Sequence, residues 1–336
     1  MPIANDAAIG HEDRTPADLE KPVRKPAVKH LITKPETRKR ARAAHRAVTP
    51  GDQVHITHPE RVVFPQITAT KADVVAYYRA VAPWMLKEIA ARPLSILRCP
   101  DGTAKACFFQ KHLKNNMGAD VHGVDIVDSG GEHQYLCIAD VAGLLELVQM
   151  NVIEFHPWGA KSKDPERADR IVFDLDPHAS VAWPRVLAAA REIHRQLDSL
   201  GVVSFLRTSG GKGLHVVVPL KPAQPWARTK AFAEAFADAM VVLRPKEFVA
   251  TAGEHNRKGK IFIDWLRNYR GATSVASYSL RARADAGVAM PLAWNQLGKL
   301  TSATQFTLAN AAAYVRRRRA DPWQDIDAAR QTLPKI

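Results

Sequence analysis

Cysteine is scarce in this chain of 336 residues, which has only Cys99, Cys107 and Cys137. So small and odd a number argues against a disulfide framework and fits a reducing compartment, so a cytoplasmic location is expected. Long apolar runs are missing too. No stretch approaches the roughly 18 uninterrupted apolar residues of a membrane span, and Met1 to Asp6 lack the charged and apolar regions of a signal peptide. Acidic charge also falls short, with 34 Asp and Glu against 48 Lys and Arg, a net +14. That balance points to a polyanionic partner. Nucleic acid ranks ahead of a membrane surface because no basic amphipathic helix with a large apolar face stands out. Apolar residues are plentiful at 46%, enough to fill the core of one large domain or two small ones.

Residues 1–50 differ in texture from the rest. They carry 11 Lys and Arg against 6 Asp and Glu, with Pro22, Pro26 and Pro35 interrupting any long helix. The run Thr37 to Arg46 can form a basic helix but has almost no apolar stripe to bury. The segment therefore reads as a flexible basic tail or linker. Residues 51–330 read as the folded domain. Thr70 caps an apolar-periodic helix reaching Ile89. Ser95–Cys99 and Lys105–Gln110 read as strands around the turn Pro100-Asp101-Gly102. A short helix at 142–150 leads to a strand at 152–155. Further strands at 170–176, 202–207, 214–219 and 260–265 alternate with helices near 182–200 and 226–243. No internal repeat appears, and the mixture predicts an α+β fold with mixed sheets.

Chemistry concentrates in Arg170-Ile171-Val172-Phe173-Asp174-Leu175-Asp176-Pro177. Alternation along a strand turns Asp174 and Asp176 to one face, where two like charges repel unless a cation sits between them. Such a pair is a natural divalent-metal platform. A turn beginning at Asp before Pro is the competing reading. Asp264 closes a second apolar run, Ile261-Phe262-Ile263, so three aspartates could converge on one or two ions. The glycine-rich Ser209-Gly210-Gly211-Lys212-Gly213-Leu214-His215 lies between them. Its relaxed backbone can bring N–H groups toward an anion, with Lys212, Ser209 and His215 as further phosphate contacts. The Walker A spacing is absent. Phe108 and Phe109 fall on opposite faces of a strand, so one is expected inward and the other free to stack on a base beside Lys105, Lys111, His112 and Lys114. Two core phenylalanines fit the composition equally well. Cys99, Cys107 and His112 lack the spacing and fourth ligand of a zinc site.

Together FDLDP at 173–177, SGGKGLHV at 209–216 and FIDW at 262–265 resemble the signature motifs of the archaeo-eukaryotic primase superfamily. The nearest resemblance is to the polymerase domains of bacterial ATP-dependent DNA ligases of the D type. It spans roughly 51–330 and includes His58-Pro59-Glu60-Arg61, Thr70-Lys71, Arg92-Pro93-Leu94, Cys107 to His112, His156-Pro157-Trp158-Gly159 and Tyr278 to Arg283.

The resemblance implies a primase-like fold of central antiparallel and mixed sheets flanked by helices. It implies Asp174, Asp176 and Asp264 as catalytic ligands of two Mn2+ or Mg2+ ions, and Ser209, Lys212 and His215 as triphosphate contacts. Arg281, Arg283, His156 and Arg267 follow as further nucleotide or template-end contacts. Lys71 and Arg61 become a pocket for a downstream 5′-phosphate, although relatives commonly carry lysine where this chain has Arg61. Phe108 and Phe109 become template-stacking residues. The implied activity is DNA-end-joining synthesis that prefers NTPs over dNTPs, with terminal transfer also within reach. Implied partners are double-stranded DNA ends, gapped DNA bearing a 5′-phosphate, Ku and a ligase module, in a nucleoid-associated bacterial setting. A metal-dependent nuclease or phosphoesterase, and a non-catalytic end-binding scaffold, are the competing classes.

Overall fold

The structure, a computed structural model, describes residues 54–334, so the basic stretch 1–50 lies outside the described residues. Among the described residues the first elements are β1 (Val62–Phe64) and β2 (Ala69–Thr70), which lead into α1 (Lys71–Ile89). Thr70 starts α1 as read from the sequence. Its hydroxyl accepts from the Asp73 N–H at 3.3 Å, and the Asp73 carboxylate accepts from the Thr70 N–H at 2.8 Å. This reciprocal pairing satisfies two of the donors a helix start leaves open.

Next come β3 (Leu94–Arg98), β4 (Phe108–Gln110), β5 (Val121–Asp128), β6 (Gly131–Ile138), α2 (Val141–Gln149) and β7 (Val152–Pro157). These strands form an antiparallel sheet centred on β3. It pairs with β7 along its length, with β4 through Ile96–Arg98 and with β6 at Leu94. The long β5–β6 hairpin was not anticipated. Its strands mix polar and apolar residues without clean alternation, though Gly130-Gly131 marks its turn.

The second half supplies β8 (Arg167–Pro177), α3 (Trp183–Ser199), β9 (Phe205–Thr208), β10 (Leu214–Pro225), α4 (Trp226–Leu243), β11 (Phe248–Val249), α5 (Glu254–Arg257), β12 (Ile261–Asp264), β13 (Pro291–Leu292) and α6 (Ala311–Arg317). Six of these strands form one sheet in the order β11-β12-β8-β10-β9-β13, antiparallel except for β11 with β12. The α+β expectation holds. Central strand β8 shows why the aspartates end up where they do. Ile171, Phe173 and Leu175 are fully buried, and Phe173 meets Phe236 of α4 at 5.0 Å between ring centroids. Burying each such side chain stabilises by about 1.5–3 kcal/mol. The odd-numbered face is thus pinned to the core, and Arg170, Val172, Asp174 and Asp176 must take the other face.

Candidate active site

Sheet register assembles the centre of the site. Asp174 on β8 lies directly opposite Asp264 on β12 and opposite His215 on β10. Directly opposed residues share a face, so the three side chains stand in one row. His215 Nε2 approaches Asp174 Oδ1 at 3.3 Å, and Arg267 Nε lies 2.9 Å from Asp264 Oδ2 and 4.0 Å from Asp174. Asp176, one residue beyond Leu175, pairs with Lys212 at 2.9 Å and with Arg257. The sequence reading missed Arg257. It lies in a polar, glycine-flanked stretch whose only signal is charge, and its guanidinium sits 4.3 Å from the Phe262 ring centroid.

The electrostatics separate the carboxylates. Burial pushes the Asp174 carboxyl up, but His215, Arg267 and Arg281 more than offset it and hold it below its ordinary value. For Asp264, burial wins over Arg267 and the neighbouring Asp174 and Asp176 add to it, so its carboxyl is raised. Crowded acids of this kind have capacity for added positive charge, which is the chemistry of a divalent-cation site. The donor set of three carboxylates suits Mg2+ or Mn2+.

The glycine loop takes a different form from the one expected. The N–H groups of Gly211 and Gly213 donate to Ser209 Oγ at 3.2 and 3.1 Å, so those donors turn inward. Packing explains this curl. A Cβ on Gly213 would lie 2.0 Å from the Leu175 carbonyl oxygen, so only glycine lets the loop press against β8. Gly210 holds a φ of +66°, and Lys212 stands half-exposed at the loop tip. Arg281 crosses between the two sheets. Its Nε donates to Glu154 on β7 at 2.9 Å and its Nη1 to the Ser209 carbonyl at 2.8 Å. His156 Nε2 donates to the same Glu154 oxygen at 2.9 Å. Burial raises the Glu154 carboxyl, yet Arg281 and His156 bring it down to about 2. Glu154 was also missed, although a glutamate inside the apolar run Val152 to Phe155 is a readable signal. Arg283 is exposed at the rim, with Nε 3.5 Å from where a Gly211 Cβ would lie.

Comparison with known proteins gives this arrangement a family. Residues 70–323 match the model of the LigD primase-polymerase domain. The chain belongs to this family. It is 39% identical over 297 residues to the multifunctional non-homologous end joining protein LigD of Pseudomonas aeruginosa, covering 88% of this chain and 35% of that protein. It is 34% identical over 248 residues to the Mycolicibacterium smegmatis protein of the same name, covering 73% of this chain and 32% of the relative. The chain thus spans about a third of these relatives' length. Its structure is similar to the polymerase domain of Mycobacterium tuberculosis ligase D, solved in complex with DNA. The TM-score is 0.76 at 30% identity, over 82% of this chain and 98% of that one.

The remaining candidates lie within the same family domain or just ahead of it. Lys71 opens α1 and is only 4% exposed. Burial, with Arg61 adding to it, lowers its ammonium below the ordinary range. The Lys71 N–H donates to the Arg61 carbonyl at 2.8 Å, which holds the two cations in one segment. Phe108 and Phe109 are 47% and 49% exposed, so neither packs inward as expected of one of them. Their strand is a three-residue edge with little to cover either face. Phe109 meets His156 edge-on at 5.3 Å.

The cysteine expectation needs correction: Cys99 and Cys107 are joined by a disulfide, which rules them out as zinc ligands. Antiparallel pairing of β3 with β4 brings their Cα atoms to 4.3 Å. No helix among the described residues is long and apolar enough to cross a membrane. A second group that could hold a metal ion is His112, Asp128 and His133, whose ligand atoms lie within 4.8 Å of one another. Asp128 there already accepts from the Tyr135 hydroxyl at 2.7 Å and lies 3.5 Å from the Lys111 ammonium.

Proposed function

We propose that the chain is the polymerase of a DNA-end-joining system, adding nucleotides to a primer 3′-hydroxyl by two-metal nucleotidyl transfer and preferring NTPs over dNTPs. The observation that carries this reading is the row Asp264–Asp174–His215 beside Asp176, ringed by Lys212, Arg267 and Arg281. In this reading Asp174, Asp176 and Asp264 hold two Mn2+ or Mg2+ ions, which when bound activate the attacking hydroxyl and neutralise charge on the leaving pyrophosphate. Asp176 and Asp264 are paired with side-chain cations, whose place a bound metal ion would take. Lys212, Ser209, His215, Arg281 and Arg283 orient the triphosphate, with His156 and Arg267 as neighbours. Fixed cations in a partly buried cleft stabilise developing phosphate charge without reorganisation.

Gapped DNA with a 5′-phosphate is the proposed substrate. Lys71 at the N-terminal end of α1, with Arg61, supplies the phosphate pocket, a role that suits a helix start bearing a cation. Phe108 and Phe109 offer stacking faces for the template. Ku and a ligase module are proposed partners in a cytoplasmic, nucleoid-associated setting, in keeping with the non-homologous end joining named for the relatives. The test is extension of a primed gap with Mn2+, using NTPs or dNTPs and a downstream strand with or without 5′-phosphate. Extension favouring NTPs and the phosphorylated gap is expected, and Lys71→Ala should remove the phosphate preference. Release of mononucleotides without extension would favour a nuclease instead.

A further inference from the structure

The register that lines up Asp264, Asp174 and His215 continues one strand further. His215 lies directly opposite Arg207 on β9, so the row runs Asp264–Asp174–His215–Arg207 across four strands. Arg207 is 0% exposed. Its Nε donates to His215 Nδ1 at 3.1 Å, its Nη1 to Glu88 on α1 at 2.8 Å, and its Nη2 to Ser274 at 3.2 Å. Glu88 is itself fixed, accepting from Arg170 at 2.8 Å and from the Ser277 N–H at 2.9 Å.

Guanidinium nitrogens only donate. An Nε–H aimed at His215 Nδ1 therefore requires a lone pair on that nitrogen. The single ring proton of a neutral imidazole must then lie on Nε2, the atom facing Asp174 Oδ1 at 3.3 Å. A fully buried guanidinium is an expensive way to gain stability, since its desolvation penalty is several kcal/mol and an apolar replacement is often no worse. Here it does something an apolar residue cannot: it selects a tautomer and a ring orientation.

We propose that Arg207, braced by Glu88, is a positioning residue that locks His215 in the Nε2–H tautomer so that Nε2 presents a donor to the metal-and-triphosphate side of the site. This rests on the reading of His215 as a triphosphate contact. Orientation of a contact by a partner behind it can matter greatly, because a misplacement of about 1 Å at a reacting group can cost on the order of 10²-fold in rate.

Two measurements test it. In the full chain labelled with 15N-histidine, with the His215 signals assigned by their loss in His215→Gln, a protonated Nε2 and an unprotonated Nδ1 are expected. A proton on Nδ1 overturns the proposal, and this reading needs no change at Arg207. In primer extension, Arg207→Gln is expected to raise the KM for NTP about tenfold or more, while thermal melting reports that the protein is folded. Arg207→Lys should recover part of the loss. In a His215→Ala background Arg207→Gln should have no further effect within about twofold. Equal losses in both backgrounds would show that Arg207 acts independently of His215 and sink the idea. If the wild-type chain extends no primer at all, the polymerase reading fails, and the tautomer measurement still decides the Arg207–His215 pairing.

Discussion

Strand β8 carries charge at both ends, and the two ends are built differently. At its start Asp169 receives two N–H bonds from Arg92, the closer oxygen pair lying with Arg92 Nη2 and the other at 2.8 Å, while Arg170 bridges to Glu88 at 2.8 Å. Each of these four charges has a buried or nearly buried partner of opposite sign. At its end Asp174 and Asp176 meet Asp264 of β12, acids of one sign, and partly exposed cations reach in from the glycine loop, the end of α5 and the turn after β12. The first arrangement is satisfied within the protein. The second crowds acids together, and burial with the neighbouring Asp174 and Asp176 raises the Asp264 carboxyl. One strand therefore holds both a clamp and the proposed reaction centre, and opposition of charge is what tells them apart.

Substitution should split the two ends cleanly. Asp174→Ala or Asp264→Ala is expected to lower primer extension by about 10³-fold or more, since metal stabilisation is worth several kcal/mol and each 1.36 kcal/mol is a factor of ten. Melting temperature should stay near wild type or rise, and a folded mutant that retains extension would break the metal assignment. Arg92→Met should do the opposite, costing about 3–5 kcal/mol in urea unfolding by leaving Asp169 short of its main partner.

Acid should also act on the clamp. Burial raises the Glu88 carboxyl, but Arg207 and Arg170 hold it at about 2 against an ordinary 4.5. A lowered carboxyl contributes stability that is complete above the ordinary value and lost as pH falls toward the folded one. Denaturant unfolding between pH 5 and 2, a range bracketing those two values, should lose about 3 kcal/mol attributable to Glu88. Glu88→Gln should start less stable and show a flatter profile. An unchanged slope in that variant would assign the acid sensitivity elsewhere.

The smallest effect belongs to the exposed β4 phenylalanines, which neither clamp nor react. Phe108→Ala and Phe109→Ala should each change stability by less than about 0.5 kcal/mol. Each should weaken binding to gapped DNA by about 1–3 kcal/mol if they stack on bases. Fluorescence anisotropy on gapped and intact duplexes separates stacking from general charge attraction.

Much of this was legible before any coordinates. Strand alternation placed Asp174 and Asp176 on one face, and Trp226 to Leu243 forms the helix that its periodicity predicts. The partners that set the electrostatics were not legible. Glu88 meets Arg207 across 119 positions and Glu154 meets Arg281 across 127, distances over which local pattern carries no information. The β5–β6 hairpin escaped because its polar-rich strands lack alternation, and the Cys99–Cys107 bond escaped because cysteine counting ignores strand pairing.

By itself, then, the sequence determined which residues are candidates for the chemistry and which face of each strand they occupy, because backbone geometry sets side-chain direction over two or three residues. Only the tertiary structure decided which charges meet. The register of β12, β8, β10 and β9 aligned Asp264, Asp174, His215 and Arg207, and α1 brought Glu88 beneath them. Charges act over a few ångströms, and only the packed sheet brings distant segments that close.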